Sequence, residues 1–177
     1  MRATTLLILT GLGMAVGLAA YGQQNSSSAL DDEGKRVFIK ANCIGCHKWH
    51  GGGGGGYGGA ALSLRDTQLD REQIMQTVQC GRPGTGMPYF SRDAYDDPAK
   101  PCYGLNREEA GKQIPMEAGT FLRPHDIEAV AAYVLDKLRG KGPVTYAECE
   151  AFWGEKSRMC NSYQNEKQGG ESGKSGG

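Results

Sequence analysis

The chain has 177 residues, enough for one domain with additional segments. Its 20 Lys and Arg balance its 20 Asp and Glu, so there is no basic excess of the kind a nucleic-acid binder needs. Only 38% of residues are hydrophobic and 28 are glycine, crowded into a run after His50 and into the C-terminal tail, so the packed part is smaller than the length suggests.

Residues 1–22 read as an export signal. Arg2 gives a positive start, Leu6–Ala20 is an apolar run, and Ala20-Tyr21-Gly22 places small residues around a cleavage point. The rival is an uncleaved membrane anchor, because the run falls a little short of the roughly 17–25 residues of a spanning helix. Contact with a membrane depends on that segment being retained. The polar Gln23-Gln24-Asn25-Ser26-Ser27-Ser28 stretch favours a cleaved signal and a flexible linker over 23–30. Either way the rest of the chain leaves the cytoplasm, and disulfides can persist there.

Asp31–Cys43 predicts a short amphipathic helix, with Ser28 or Asp31 as its cap and Val37 and Phe38 on its apolar face. Asp70–Gly81 predicts a second helix, with Ile74, Met75 and Val78 at helical spacing and Gly81 as the stop. Arg82–Gly104 is rich in Pro, Gly and Asp and reads as an ordered loop. The segment after Asn106 has room for one helical turn. Arg123–Gly142 is the clearest helix. Pro124 suits its first turn, and Ile127, Val130, Ala131, Val134, Leu135 and Leu138 form one stripe. Thr145 and Glu148 have capping-box spacing and open a small C-terminal unit over 143–163. From Gln164 the tail over 164–177 lacks periodicity and reads as disordered. No strand pattern and no repeat is visible, so the fold class is all-α.

Cys43-Ile44-Gly45-Cys46-His47 is the pattern of covalent haem attachment. Two thiols one turn apart can each form a thioether to a haem vinyl group, and the adjacent imidazole can reach the iron. A zinc site would need a second pair of ligands at matching spacing, and none is present. A thioredoxin-like dithiol would want a strand–helix context. A plain Cys43–Cys46 disulfide leaves His47 without a role. A low-spin carrier also needs a sixth iron ligand. Met87, in the Gly- and Pro-rich Gly84–Phe90 stretch, is the first candidate, because a thioether favours ferrous iron. Met116, which also follows a proline, is its rival. Met75 reads as core and Met159 lies near the tail. His50 is too close to His47 to reach the other face, and His125 sits in a helix's first turn.

With these motifs the sequence resembles a class I c-type cytochrome over about residues 31–142, the domain between the linker and the C-terminal extension. The resemblance rests on the Cys43–His47 pentad, on Gly86-Met87-Pro88-Tyr89-Phe90, and on the flanking helices. It implies a small cytochrome c fold wrapping one haem c, attached through Cys43 and Cys46 and ligated by His47 and Met87. It also implies that Gly34 and Phe38 on the first helix cross Tyr133 on the last. A Gly-Pro-x-Leu-like stretch should supply a carbonyl to the axial histidine. Gly58–Leu62 holds that place, with Ala60 where proline is usual.

The implied function is periplasmic electron transfer and not catalysis. One electron would pass from a dehydrogenase or membrane complex to a terminal oxidase or another cytochrome. A periplasmic quinoprotein dehydrogenase is the donor that family habit suggests. Two alternatives stand: a haem subunit fixed in a larger complex, and a haem enzyme or ligand-binding protein with a labile sixth position.

Cys80, Cys102, Cys149 and Cys160 allow three pairings. Nearest neighbours would give Cys80–Cys102, pinning the loop around Met87, and Cys149–Cys160, stapling the C-terminal unit. Trp49, His50, Tyr57 and Arg65 lie near the pentad, where Arg or an aromatic donor could meet a haem propionate and an ordinary surface position would serve as well. In Gly51–Gly59 the last two glycines, Gly58 and Gly59, suit a close turn towards the haem. The six before Tyr57 read as a slack surface loop, with a flexible contact surface as the other reading.

Overall fold

The computed structural model describes residues 17–56, 59–96 and 102–164, with side chains from residue 29 onward. Most of the export signal, Tyr57, Gly58 and the tail from residue 165 lie outside the described residues. The described elements are helical. They are α1 (Gly17–Lys40), α2 (Cys43–His47), α3 (Arg71–Cys80), α4 (Arg107–Ala110), α5 (Pro124–Tyr133) and α6 (Tyr146–Trp153). A π-helical turn, Val134–Leu138, continues α5, and a 3₁₀ segment, Arg158–Tyr163, follows α6. Among the described residues the extended pairing consists of isolated bridges, Tyr89 with Glu117 and Cys102 with Leu105.

The helix ends follow their capping chemistry. Asp70 accepts from the Gln73 N–H at 2.9 Å, and the Gln73 side chain accepts from the Asp70 N–H at 3.0 Å. Thr145 and Glu148 form the same reciprocal pair at α6. Gly81, at φ 65°, ends α3. Asn42, in the left-handed region at φ 57°, separates α1 from α2.

The start of α1 differs from expectation. Its backbone is helical from Gly17 and runs through 23–30, where a linker was expected. No proline interrupts that stretch, so nothing in the backbone stops the helix. Asp31 therefore caps nothing. Its buried carboxylate pairs with Lys137 at 2.9 Å.

Helix α1 crosses α5 at Gly34. A methyl group there would lie 2.6 Å from Tyr133 Cβ and would collide with the Ala129 carbonyl, so only glycine lets the two backbones meet. One turn on, the rings of Phe38 and Tyr133 pack at 5.5 Å. The main core gathers Val37, Phe38, Ile74, Val78, Val130 and Leu138, with Phe152 from α6. A second, smaller core forms around Cys80, Tyr89, Ala94, Tyr95, Cys102 and Ala110. It gives the long loop after α3 an interior of its own. Both nearest-neighbour disulfides are present, Cys80–Cys102 and Cys149–Cys160, with Cα atoms 5.5 and 5.6 Å apart. Among the described residues no helix is long and apolar enough to cross a membrane.

Candidate functional site

Helix α2 is a single short turn that carries Cys43, Cys46 and His47. Both thiols are free. Burial pushes the Cys43 thiol up to about 12, so it stays protonated at neutral pH, unlike the activated thiolate of a redox-active pair. Among the described residues no three His, Cys, Asp or Glu side chains gather as a metal cluster would require.

His47 Nδ1 donates to the Leu62 carbonyl at 2.9 Å. That bond fixes the tautomer and leaves Nε2 as the ring's free lone pair. Burial holds the imidazole below its ordinary pKa against the opposing effect of the Leu62 bond, so the neutral ligand form dominates near pH 7. The accepting carbonyl is Leu62's and not that of Ala60, which is exposed. Leu62 is the last residue of the Gly58–Leu62 stretch, two residues beyond the position where proline is usual.

The glycine run is not slack. The Gly53 N–H donates to the His47 carbonyl at 3.1 Å, and the Gly55 N–H donates to the Cys46 carbonyl at 3.0 Å. These bonds satisfy carbonyls at the C-terminal end of α2 that have no partner within the helix.

The half-buried side chains of Cys43 and Ile44 from α2, and of Leu64, Leu69, Met75 and Met87, all pack against the main core. Met116 does not join them, being 68% exposed. His125 is exposed at the start of α5. His50 turns back locally, its Nδ1 accepting from the Gly52 N–H at 3.0 Å. Two free thiols one turn apart, a neutral imidazole with Nδ1 already engaged, and half-buried apolar side chains beside them are the donor set and lining that covalent haem requires. The residues present fit the group. A family model described as cytochrome c matches residues 32–137.

The chain belongs to the cytochrome c family. No curated protein and no solved structure matches it. Membership implies covalently bound haem c and electron transfer, and the family's members are generally carriers and not enzymes.

In this cytochrome the loop bearing Met87 is held from several sides. The Arg82 N–H donates to the Met87 carbonyl at 3.1 Å, and the Met87 N–H donates to Thr85 Oγ1 at 3.2 Å. The Tyr95 hydroxyl donates to the Cys80 carbonyl at 2.9 Å, and the Tyr103 hydroxyl to the Gly81 carbonyl at 2.7 Å. Both tyrosines hold positive φ, an unusual backbone for bulky residues, beside the Cys80–Cys102 bridge.

Arg65 and Trp49 face the C-terminal extension. Buried Arg65 donates to the carbonyls of Gly142, Pro143 and His50 and to the Glu148 carboxylate. Trp49 packs its ring on Phe152 at 5.5 Å and edge-on to Tyr163 at 5.7 Å. Glu148, Phe152, Tyr95 and Tyr103 carried no local signal of these roles, because each partner lies at least 15 residues away in the chain. Leu62 did carry one, as the last residue of the Gly58–Leu62 stretch.

Proposed function

We propose that this cytochrome is a periplasmic carrier of one electron. It would hold a single haem c through Cys43 and Cys46, with His47 and Met87 as axial ligands. Its donor would be a dehydrogenase, a periplasmic quinoprotein dehydrogenase among them, or a membrane complex. Its acceptor would be a terminal oxidase or another cytochrome. Haem c supplies a one-electron iron couple when bound.

The observation that carries this reading is the contrast between the two loop methionines. Met87 is half-buried and packs against the main core, as Cys43 and Ile44 do, whereas Met116 is 68% exposed. A soft thioether in apolar surroundings suits ferrous iron and raises the potential. His47, held through Nδ1, would present a fixed ring to the iron. Two axial side chains held in this way would let a bound haem change charge with little movement of the protein, as a carrier requires.

The two segments that could have marked a fixed subunit each make contacts within the chain. The glycine run bonds to α2, and the C-terminal extension packs over Trp49. The decisive experiment is an optical spectrum of the oxidised holoprotein. A methionine–iron charge-transfer band at the red edge is the expected result. A high-spin ferric spectrum that shifts rapidly on adding cyanide would transfer the protein to the ligand-binding class.

A further inference from the structure

We infer that Gly53 is a positioning residue for the axial histidine, acting through the Leu62 carbonyl; this rests on the reading of His47 as an iron ligand. The glycine run forms a middle layer between α2 and the returning segment 61–64. On one side, Gly53 and Gly55 donate their N–H groups to the His47 and Cys46 carbonyls. On the other side, the Gly54 N–H donates to the Ala61 carbonyl at 2.8 Å. The Leu64 N–H donates to the Gly51 carbonyl at 2.7 Å. Leu62 is thus bracketed by bonded neighbours, and its carbonyl has little freedom apart from the run.

Gly53 is where the two sides meet. It sits at φ 70°, and a methyl group there would lie 2.7 Å from the Leu62 carbonyl carbon, 2.8 Å from its oxygen and 2.5 Å from the Ala61 oxygen. A side chain at 53 would press on the very carbonyl that receives the His47 proton. Gly53 also bonds the His47 carbonyl, so one residue orients the imidazole from its backbone and, through Leu62, from its ring. An acceptor on Nδ1 makes the imidazole a stronger donor to the metal, which favours the more highly charged ferric state. Displacing the Leu62 carbonyl should weaken that donation and stabilise ferrous iron.

Gly53→Ala is therefore expected to shift the reduction potential of the holoprotein upward and to move the His47 ring-proton resonances. Gly154→Ala is the control. Gly154 has the same kind of backbone, at φ 95°, with nothing within 4 Å of an added methyl, so it should lose thermal stability without moving the potential. If Gly53→Ala loses stability like the control while its potential and His47 resonances stay put, the inference is overturned. Should Gly53→Ala not accumulate, amide exchange in the wild type decides. Slow exchange at Gly53, Gly54 and Gly55 supports the ordered layer, and random-coil rates there overturn it. Slow exchange in wild-type protein that proves to lack haem would sink the functional reading and still support the positioning of His47.

Discussion

Arg65 and Glu148, 83 residues apart in the chain, form an ion pair at 3.1 Å that ties the C-terminal extension to the segment following α2. The Arg65 side chain is 6% exposed, and its other donors meet the Gly142, Pro143 and His50 carbonyls. The planar guanidinium suits this role, because its fork satisfies several acceptors at once. Arg65→Ala leaves the carbonyl acceptors unpaired, and losing hydrogen bonds to a buried charged donor costs about 1.5–3 kcal/mol, the partly exposed Glu148 being re-solvated. The expected outcome is a lower urea midpoint and early proteolytic loss of the extension after Leu138. Arg65→Lys should recover little of this, since an ammonium cannot span the same set. A midpoint unchanged in Arg65→Ala would show that the pair is not a clamp.

Gly34 sets how closely α1 and α5 approach. An alanine there meets the Ala129 backbone and Tyr133 Cβ, neither of which is the free end of a flexible side chain. Overpacking of this kind costs about 1–3 kcal/mol. Gly34→Ala should lower the melting temperature and separate the Phe38 and Tyr133 rings, weakening the near-ultraviolet circular dichroism. Full stability in Gly34→Ala would mean that the crossing is looser than this geometry requires.

What was legible in the sequence had local signatures. The capping boxes at Asp70 and Thr145, the apolar stripe of the last helix and the Cys43–His47 pentad each rest on side chains a few residues apart. The crossing of Gly34 and Phe38 with Tyr133 came from the family resemblance, and the helix packing bears it out. What escaped was written in the backbone. Glycines look alike in sequence whether they are slack or bonded, and only the hydrogen bonds to His47 and Cys46 separate the two cases. Gly58–Leu62 does contain the acceptor, but which of its carbonyls serves is not legible, because backbone oxygens carry no residue signature and proline is absent at Ala60. Arg65 read either as a haem-side donor or as an ordinary surface residue, because sequence proximity to the pentad was its visible property; it is buried, with partners at His50, Gly142, Pro143 and Glu148.

Asp126 gives a pH-dependent term. It closes the N-terminus of α5 by accepting from the Arg123 N–H at 3.0 Å and from its guanidinium. The Arg123 side chain, followed by other bonds to Arg123, holds its carboxyl below the ordinary 3.8. Its contribution is fully present above that ordinary value and is lost as pH falls through the depressed folded value. Asp126→Asn keeps an acceptor for the Arg123 N–H but loses the charge that pairs with the exposed guanidinium, so it should be slightly less stable than wild type at neutral pH. Urea midpoints collected from pH 7 downward should show wild type and Asp126→Asn converging at the acid end. Parallel profiles would place the acid-sensitive group elsewhere.

The two methionines make opposite predictions. Met87→Ala should remove the red-edge charge-transfer band, lower the potential and render the ferric iron high-spin or water-ligated. Met116→Ala, at a side chain 68% exposed, should leave the spectrum intact and change stability by less than about 0.5 kcal/mol. Visible spectra and redox titration of the two holoproteins check this directly. The reverse result would assign the sixth position to Met116.

The Cys80–Cys102 bridge should matter for Met87 more than for the fold as a whole. It closes a loop of 22 residues, and the chain-entropy argument values such a crosslink at about 3 kcal/mol. That loop contains Met87 and has its own small core around Tyr89, Ala94 and Tyr95. Removing the bridge with the pair Cys80→Ser and Cys102→Ser leaves the loop held only by hydrogen bonds, among them those of Tyr95 and Tyr103 to the Cys80 and Gly81 carbonyls and of Phe90 and Ser91 to the end of α3, and by its small core. The α1–α5 crossing draws on a different cluster of side chains and should persist. The expected result is retained helicity and covalent haem, with faster cyanide binding to the ferric form as the Met87 loop opens more often. The Cys149→Ser and Cys160→Ser pair, whose bridge staples the extension instead, should leave cyanide kinetics unchanged. Equal acceleration in both pairs would mean that loop opening follows global stability and that the Cys80–Cys102 bridge has no particular hold on the ligand.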